Sequence, residues 1–594
     1  MKGRNFLDVE CSISGRRWTP RLENERLAQA IAERHELPEI LGRVMAARDV
    51  GLDEAEAFLN PTIRSLMPQP SAMKDMEKGA QRLAEAITLQ TRIGIISDYD
   101  VDGVSSAAIF QLFLRAVGSD AIIHVPDRLT EGYGPSEHAV KLLKERGCNL
   151  LLTLDCGVLA HDPLAHAAQL GMETIIVDHH QASEILPEAY AVINPNRQDD
   201  VPGFGYLCAA GVVMILVATV NKLLRARGWY SELRPEPNML QWLELVALAT
   251  VCDVVPLKGL NRAYVTQGLK IMSRRENVGL AMLSDIARLK RNPDVYALGF
   301  VLGPRLNAAG RIGHADLALE LLTTRDKGRA NQLAQELEQL NRQRQAIELR
   351  VVDAAAIQAE ASLGKERRSS VIIVASDGWH PGVVGLAAAR LKERYQLPSF
   401  VLASNPKTGH ASGSGRSIAG VDIGSAIRAA LEASVIIKGG GHAMAAGLTV
   451  EIAKLAELRN FLEEKLENAV ANAAENSLQI DGALNASGAT LDLIELLEQA
   501  GPYGSAHPAP VFAFPAHKVV YADPVGSDHI RCTLASADGT RIKAIAFRAM
   551  GTELGEVLLT ERKLPLHFAG RVTIDEWGAK RVPSLQIEDI AHVL

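Results

Sequence analysis

The chain of 594 residues is long enough for about four domains of roughly 150 residues, which excludes a single small binding module. Its composition, with 47% hydrophobic, 22% charged and 5% aromatic residues, is typical of globular proteins and excludes the disordered and fibrous classes. The formal net charge is −7, so a polyanionic ligand would require local basic patches or bound metal.

The cysteine and hydropathy patterns predict a cytoplasmic protein. The six cysteines form no CxxC pair, which argues against a zinc knuckle and against a disulfide-stapled secreted scaffold. The first 20 residues contain no apolar stretch of signal-peptide length. The longest apolar run, residues 207–220, suits a buried helix and is too short for a membrane span.

The first 315 residues divide into two predicted parts. Residues 1–80 are expected to form an N-terminal helical accessory segment that ends in a loop interrupted by three prolines. In residues 81–315, short β-type runs alternate with helical stretches, which predicts a parallel sheet covered by helices on both faces. Ligands on such sheets bind at the carboxyl ends of the strands.

The rest of the chain divides into three further parts. Residues 316–364 are almost all helix formers and predict a long connecting helix of roughly 50 Å. Residues 365–477 predict a smaller α/β domain, in which residues 366–450 carry nine Lys/Arg against five Asp/Glu. Residues 478–594 contain short strands that predict a small barrel such as an OB-fold.

The strongest chemical signal is the sequence SDYDVDG, which directly follows an apolar strand and precedes a helix. Its three carboxylates, Asp98, Asp100 and Asp102, would repel one another unless a cation neutralised them, so their spacing predicts a divalent metal. A calcium-binding EF-hand is the alternative, but Ile109 stands where that loop requires a glutamate.

Three more clusters follow apolar runs: Asp155 in LLTLDCG, Asp178 to His180 in ETIIVDHHQ, and Asp253 in ATVCDVVPL. Taken singly, each cluster also has a structural interpretation. Asp155 would be a helix cap or turn residue, a histidine of the pair would be a hydrogen-bonded structural residue, and Asp253 would be an acid in a loop. Adjacent histidines point different ways, so at most one of the pair is expected to be a direct metal ligand. Four clusters in one α/β unit predict a single site, and carboxylates with imidazoles and no thiolate select Mn²⁺ or Mg²⁺.

An ordered set of motifs carries a family resemblance. DYDVDG, LDCG, DHH, CDVVPL, GPRLNAAGRIG (303–313) and GGGHAMAAG (439–447) occur in the order expected of the DHH phosphoesterases. Over nearly its full length the chain resembles the RecJ family of bacterial single-strand-specific exonucleases. It departs from that pattern at Val101, where the first motif often has Ala, and at SAHPAP (505–510), where an NPEP-like run is common.

The resemblance implies both a fold and an activity. The fold is an α/β multidomain arrangement, with a parallel-sheet DHH domain and a smaller DHHA1 domain joined by the long helix, followed by the OB-like barrel. The activity is 5′→3′ degradation of single-stranded DNA to 5′-mononucleotides by two Mn²⁺ or Mg²⁺ ions, in DNA repair and recombination. The implied partners are a RecQ-type helicase and single-strand-binding protein, and a bacterial cytoplasmic monomer without a membrane is expected.

The resemblance also assigns residues to the site. The metal ligands would be Asp98, Asp100, Asp102, Asp155, His179 and Asp253, with Asp155 bridging the two ions and His180 contacting the scissile phosphate. The phosphate contacts would be Ser414 and Arg416 for the 5′-terminal phosphate, Arg305 and His442 for backbone phosphates near the metals, and also Asn307, Arg311 and His380. The glycine-rich segments around Ser414 and His442 have a tight structural turn as their alternative reading.

Aromatic side chains of the barrel are candidate stacking faces for a single strand, although most are expected to be core: Phe512, Phe514, Phe547, Phe568 and Trp577. Two other functions stay open. A DHH hydrolase of small substrates, such as an oligoribonuclease, a cyclic-dinucleotide phosphodiesterase or a manganese pyrophosphatase, would need neither the barrel nor the N-terminal segment. A non-catalytic Cdc45-like replication scaffold would have no use for a costly cluster of acids.

Overall fold

The computed structural model describes residues 5–22, 24–128, 130–200, 203–363, 369–473, 477–561, 564–575 and 581–593. The chain divides into two compact units. One unit contains Met1–Thr62, Leu257–Gly259 and Glu475–Leu594, and the other contains Ile63–Pro256 and Leu260–Ala474. The first unit is therefore assembled from segments that are far apart in sequence.

In the described part of residues 1–62, the N-terminal segment forms one strand and three short α-helices: β1 (Arg17–Pro20), α1 (Glu25–Arg34), α2 (Glu39–Ala46) and α3 (Ala55–Leu59). Helix α1 begins after Asn24, whose side chain accepts a hydrogen bond from the Arg26 amide. Ile31 and Leu41 are buried in the same apolar cluster as Phe512 of the C-terminal part. The N-terminal segment thus shares one core with that part.

The second unit begins with a five-stranded parallel sheet, in the order β3-β2-β4-β5-β6. Its strands are β2 (Ile93–Ser97), β3 (Ala121–His124), β4 (Leu150–Leu154), β5 (Glu173–Val177) and β6 (Ala191–Ile193). The helices of this part are α4 (Ile63–Leu66), α5 (Met76–Thr88), α6 (Val101–Ala116), α7 (Glu137–Glu145), α8 (His161–Gln169) and α9 (Ala209–Ala226). Every residue of β2 and β4 is buried, as a parallel sheet covered on both faces requires.

The strand order places a ligand crevice in this sheet. The chain runs from β2 outward to β3 and then returns to β4 on the other side of β2, so the order reverses between β2 and β4. In open α/β sheets, ligands bind outside the carboxyl ends of the strands at such a switch point. The sequence motifs after β2 and β4 therefore meet where a ligand is expected.

A helical layer follows this sheet and leads to the long helix. It consists of α10 (Leu243–Cys252), α11 (Gly259–Met272), α12 (Val278–Ile286), a π-helical turn (Ala297–Leu302), α13 (Gly303–Ile312), α14 (Asp316–Thr323) and α15 (Lys327–Leu363). Helix α15 has 37 residues and is about 55 Å long, which confirms the predicted connecting helix. It packs against α13 on one side of the connection and against the next sheet on the other.

The smaller α/β part has a mixed sheet in the order β10-β11-β9-β8-β7. Its elements are β7 (Ile372–Asp377), α16 (Val384–Tyr395), β8 (Ser399–Asn405), β9 (His410–Arg416), α17 (Ile423–Glu432), β10 (Lys438–His442), β11 (Ala445–Glu451) and α18 (Leu455–Ala473). Only β7 and β8 are parallel, and the other pairs are antiparallel. Residues alternate between the two faces of β9, so Ser412, Ser414 and Arg416 share a face.

The C-terminal part is a closed barrel. Its elements are β12 (Ser477–Ile480), β13 (Gly482–Ala483), α19 (Leu491–Gln499), β14 (Phe512–Val525), β15 (His529–Ala535), β16 (Arg541–Ala546), α20 (Glu553–Thr560), β17 (Pro565–Asp575) and β18 (Val582–His592). The order β14-β15-β16-β18-β17 closes because β14 also pairs with β17, which confirms the predicted OB-like barrel.

The candidate stacking residues of the barrel separate into core and surface. Phe512, Phe514 and Phe568 are fully buried, whereas Phe547 is half exposed, and Trp577 lies outside the described residues. In the other unit, helix α9 is long and apolar enough to cross a membrane, but 72% of its most apolar window is buried inside the fold. This burial agrees with the prediction of a core helix for the longest apolar run.

Candidate metal centre

The first acidic motif lies at the junction of β2 and α6. Asp100 caps α6, since its Oδ1 accepts hydrogen bonds from the amides of Asp102 (3.0 Å) and Gly103 (3.2 Å). A Cβ at position 103 would lie 2.4 Å from the carbonyl oxygen of Asp98, so only glycine fits there. The motif spacing is thus dictated partly by the tight turn that presents the carboxylates.

Asp102 is held by a second helix. Its two carboxylate oxygens accept hydrogen bonds from the amides of Ala209 (2.7 Å) and Ala210 (2.8 Å), at the N-terminus of α9. Free amides and the positive end of the helix dipole stabilise a carboxylate at that position. Burial, together with the nearby charge of Asp100, nevertheless raises the pKa of Asp102 to about 7.

Asp155 and Asp253 follow other elements of the same unit. Asp155 directly follows β4 with a φ of 60°, in the left-handed region that costs energy for a non-glycine residue. Asp253 follows α10, and Val254 after it has a φ of 59°. Left-handed backbone at Asp155, and directly after Asp253, indicates that the surrounding structure fixes the directions of these two carboxylates.

The DHH motif separates into a positioning acid and two histidines with different surroundings. Asp178 Oδ1 accepts hydrogen bonds from the amides of His179 (2.7 Å) and His180 (3.1 Å) and lies 2.7 Å from His180 Nδ1. Its Oδ2 accepts from the Val158 amide at 3.0 Å. Asp178 therefore orients the histidines, and its oxygens are fully engaged in doing so.

His179 lies among the carboxylates. Its Nε2 is 3.3 Å from Asp155 Oδ1, 3.6 Å from Asp253 Oδ2 and 3.8 Å from Asp102 Oδ2. Burial, followed by the charge of neighbouring His180, lowers the pKa of His179 to about 4, which favours the neutral imidazole that binds metal. His180 Nδ1 is instead 2.7 Å from Asp178 Oδ1 and 3.9 Å from Asp155 Oδ1, so the expectation that at most one of the pair binds metal directly stays a prediction.

The candidate ligand atoms form three overlapping groups in which all atoms lie within 4.8 Å of one another. These groups are Asp98, Asp100 and Asp155; Asp102, His179 and Asp253; and Asp155, His179 and His180. Asp155 belongs to two of them. Every acid and histidine predicted as a metal ligand is therefore brought into one cluster.

The carboxylates of this cluster fit divalent cations. Among the described residues, Asp98 Oδ1, Asp155 Oδ1 and Asp253 Oδ2 are buried without a hydrogen-bond partner. Burial, reinforced by neighbouring aspartates, holds the pKa values of these three residues well above their ordinary range. Such buried oxygens are costly unless a cation compensates them, and hard oxygen ligands with one imidazole suit Mn²⁺ or Mg²⁺.

A cationic cluster lies beside the acids. Burial lowers the pKa of Arg311 to about 10 and also lowers the pKa values of His380 and Arg416, and the charge of Arg128 is the next cause in all three cases. Arg128 also lowers the pKa of Asp98. The structure thus brings Arg311, His380 and Arg416 together with Arg128, next to the candidate metal ligands.

The remaining phosphate candidates have different surroundings. Arg305 Nε donates to Glu338 Oε2 of α15 (2.7 Å) and its Nη1 donates to the Val301 carbonyl (2.7 Å). Asn307 Oδ1 accepts from the Val101 amide at 3.2 Å, so this side chain supports the metal-binding turn. Ser414 shares a face of β9 with Arg416, and His442 is exposed at the end of β10.

Two site residues were missed in the sequence, Arg128 and Tyr133, both in the loop after β3. The Arg128 guanidinium lies over the Tyr99 ring at 5.3 Å, and the Tyr133 hydroxyl donates to the Asp155 carbonyl at 3.0 Å and lies 3.3 Å from His180 Nδ1. A single arginine and a single tyrosine in a loop form no motif. The only local signal is the pair of glycines around Tyr133, which both have positive φ.

The comparisons with known proteins agree with this geometry. Residues 92–250 match the N-terminal domain of the DHH family, residues 368–468 match the DHHA1 domain, and residues 480–589 match the RecJ OB domain. The chain is 34% identical to the single-stranded-DNA-specific exonuclease RecJ of Salmonella typhimurium, over 93% of this chain and 96% of that protein. The chain belongs to the RecJ family.

Other RecJ proteins are similarly related. The Escherichia coli protein is 35% identical over 80% of this chain and 83% of its own length, and the Bacillus subtilis protein is 31% identical over 97% and 71%. The crystal structure of RecJ from Thermus thermophilus in complex with Mn²⁺ matches with a TM-score of 0.77 and 26% identity, covering 96% of this chain and 78% of that one. The RecJ fold, including its barrel, is therefore shared.

Proposed function

We propose that this RecJ-family protein is a single-strand-specific DNA exonuclease that degrades its substrate 5′→3′ to 5′-mononucleotides with two Mn²⁺ or Mg²⁺ ions. One observation carries this proposal: among the described residues, Asp98, Asp155 and Asp253 each have a buried carboxylate oxygen without a hydrogen-bond partner, and those of Asp155 and Asp253 lie 3.3 and 3.6 Å from His179 Nε2. The family membership supports single-stranded DNA as the substrate.

The residues that would hold the two ions follow from the groups of ligand atoms. Asp98, Asp100 and Asp155 would hold one, and Asp102, His179 and Asp253 would hold the other, with Asp155 Oδ1 close enough to His179 to serve both. When bound, such ions would supply a water of lowered pKa and would neutralise the charge that builds up on the phosphate in the transition state. Asp178 binds no ion in this proposal and acts by orienting the histidines.

His180 is proposed to contact the scissile phosphate. Its Nδ1 faces the Asp178 carboxylate, which leaves Nε2 as the atom that can donate to a phosphate oxygen. The side chain of His180 is about one third exposed, so a substrate can reach it. Tyr133 lies against the same ring and bonds to the Asp155 backbone, which fixes the imidazole relative to the metal ligands.

The cationic cluster is proposed to bind the 5′-terminal phosphate. The charges of Arg128, Arg311 and Arg416 repel one another in a partly buried place, and a phosphate dianion would relieve that repulsion and favour protonation of His380. Ser414 shares a strand face with Arg416 and can add a hydroxyl donor. A site that fixes the chain end at a set distance from the metals accounts for exonuclease action.

The barrel is proposed to bind single-stranded DNA. Tyr521 and Phe547 are about half exposed, and the Phe547 ring contacts His529 with centroids 5.2 Å apart. Exposed rings on a barrel of this type are platforms for base stacking. With this role, residues 478–594 would be the nucleic-acid-binding domain. The five proposed parts of the chain are then residues 1–80, 81–315, 316–364, 365–477 and 478–594.

The setting of the enzyme is also part of the proposal. DNA repair and recombination in the bacterial cytoplasm would require an activity that supplies single strands, and a RecQ-type helicase together with single-strand-binding protein would fit that need. A monomer is expected, since one chain contains both the acidic and the cationic cluster.

Product analysis tests the proposed function. A 5′-phosphorylated single strand, labelled at one end or the other, is incubated with the protein and Mn²⁺ beside a blunt duplex. We expect labelled mononucleotide to appear at once from the 5′ label, with the duplex spared. Cleavage of only di- to pentanucleotides or pyrophosphate would contradict the long-strand substrate, and no cleavage of any of these would favour a scaffold.

A further inference from the structure

Two aromatic side chains are exposed at the π-helical turn Ala297–Leu302. Tyr296 is 65% exposed and Phe300 is 70% exposed, and their rings stack with centroids 5.1 Å apart and an angle of 23° between the planes. In the same unit, Phe110, Phe113 and Phe400 are fully buried. An exposed, pre-stacked pair leaves a wide ring face open for a further flat partner.

The backbone of this turn is fixed to the element that presents a candidate metal ligand. Cys252 Sγ donates to the Leu298 carbonyl at 3.5 Å, and a Cβ at position 303 would lie 2.4 Å from that sulfur. Glycine at 303 therefore permits the close approach. Since Cys252 directly precedes Asp253, the aromatic pair has a defined position relative to the metal centre.

The same helical run connects the pair to the metal-binding turn. Phe300 lies in the π-helical turn, and Asn307 lies in α13, which directly follows that turn. Asn307 accepts a hydrogen bond from the Val101 amide, within the first acidic motif. One continuous helical run therefore links the aromatic pair to the turn that presents Asp100 and Asp102.

Cationic residues precede the pair. Arg288, Lys290 and Arg291 are exposed in the segment between α12 and the π-helical turn. Cations beside exposed rings form the combination that binds single-stranded nucleic acid, because the cations meet phosphates while the rings stack on bases. Two rings alone are far smaller than the roughly 800 Å² per partner of a stable protein interface, which favours a nucleic acid base as the occupant.

We propose that Tyr296 and Phe300 form a base-stacking platform that holds the single strand as it enters the metal centre, with Arg288 and Lys290 meeting its phosphates. This inference rests on the proposed exonuclease function and adds a subsite to it. The platform accepts any base, since every base has a flat face, and it rejects a paired base whose faces are already covered. It would thereby contribute to the preference for single strands.

The test compares Phe300→Leu and Tyr296→Leu with the wild type. Leucine keeps an exposed apolar side chain and removes the ring. We expect the KM for a long 5′-phosphorylated strand to rise about tenfold with kcat unchanged, since the loss of one stacked base has that effect. Circular dichroism and thermal melting should match the wild type because both side chains are exposed.

Strands with a single abasic residue at successive positions locate the stacked base. In the wild type, one position should raise KM, and in Phe300→Leu that same position should have no further effect. Leu233→Ala is the control, because Leu233 is 99% exposed and lies far from the metal motif. Its neighbour Arg234 packs on Trp229, and Trp229 donates a hydrogen bond to the Val117 carbonyl at the end of α6 opposite to that motif.

The outcomes separate the two proposals. Wild-type KM values in both leucine variants, or an equal loss at every abasic position, would contradict the platform while leaving the exonuclease function intact. A wild-type protein that degrades no single strand would contradict the proposed function itself.

Discussion

The two sheets of the larger unit differ in the charge of their candidate binding residues. The parallel sheet buries carboxylates at the ends of its strands, where burial and mutual repulsion raise their pKa values. The mixed sheet carries Arg416 on β9, and burial together with the charge of Arg128 lowers the pKa values of Arg416 and His380. In the proposed function, one half of the site would therefore bind cations, and the other would bind an anion.

This difference explains why two α/β sheets serve one reaction. Buried acids fix metal ions firmly because their free energy without a counter-charge is high. A partly open cationic face can admit and release a phosphate at each cycle. The comparison makes different predictions for substitutions in the two halves, because an acid removed from the first half relieves repulsion, whereas a cation removed from the second weakens substrate binding.

The largest effect is expected for Asp155→Asn. Loss of a carboxylate shared by two ligand groups should lower exonuclease activity by about a thousandfold or more. The metal-free protein should melt at a higher temperature than the wild type, since one buried charge is gone, and its stabilisation by added Mn²⁺ should shrink. Exonuclease assays and melting curves with and without Mn²⁺ measure both.

Asp162→Asn, on the exposed first turn of α8, is the matched control for that substitution and should change neither property. A folded Asp155→Asn protein with wild-type turnover would contradict the assignment of Asp155. A melting temperature below that of the wild type would contradict the claim that repulsion among the acids destabilises the metal-free fold.

An intermediate effect is expected for Arg416→Ala. The variant should lose roughly 10- to 100-fold of the preference for a 5′-phosphorylated over a 5′-hydroxyl strand, which is the range for removing a hydrogen bond to a charged group. The ratio of kcat/KM for the two strands is the measurement. Arg394→Ala in α16, whose side chain pairs with Glu360 at the surface, should keep the wild-type ratio. An unchanged ratio in Arg416→Ala would remove this residue from the 5′-phosphate site.

The smallest effect separates burial from metal binding. Glu244 is buried away from the metal cluster, its Oε2 has no hydrogen-bond partner among the described residues, and burial raises its pKa to about 8. The folded state keeps this proton to a higher pH than the unfolded state, so the wild type loses stability as the pH rises from about 4.5 to about 8. Glu244→Gln should remove that loss and melt a few degrees higher at pH 8.

A melting series across that pH range checks the prediction, with the exposed Glu184→Gln as control. The melting temperatures of the wild type and Glu244→Gln should converge at low pH, where Glu244 is protonated in both the folded and the unfolded state. Parallel curves over the whole range would show that the carboxyl of Glu244 is not the group responsible.

The sequence predicted those parts of the site that depend on short-range patterns. Asp98 to Asp102, Asp155 and the DHH motif each follow a buried strand, and parallel strands bring their carboxyl ends to one edge, so their meeting could be foreseen. Arg128 and Tyr133 could not, because their positions depend on the path of a single loop. The pairing of Arg305 with Glu338 likewise depends on how α13 packs against α15.

The fold shows the same division. The alternation of strands and helices predicted the parallel sheet, and the absence of Gly and Pro predicted the long helix. The joining of the N-terminal segment to the barrel could not be foreseen, because a pairing such as β1 with β12 leaves no local trace in either segment. Burial of Phe512, Phe514 and Phe568 follows from closure of the barrel, which depends on all five strands together.

The discontinuous unit also has a consequence for synthesis on the ribosome. Trp18 is fully buried and donates from Nε1 to Asp589 at 2.9 Å, so its partner is translated long after it. At about 5 to 20 residues per second, the 571 residues that separate Trp18 from Asp589 take roughly 30 to 110 s to translate. During that interval the apolar face of the N-terminal segment is exposed, which favours binding of this segment by ribosome-associated chaperones.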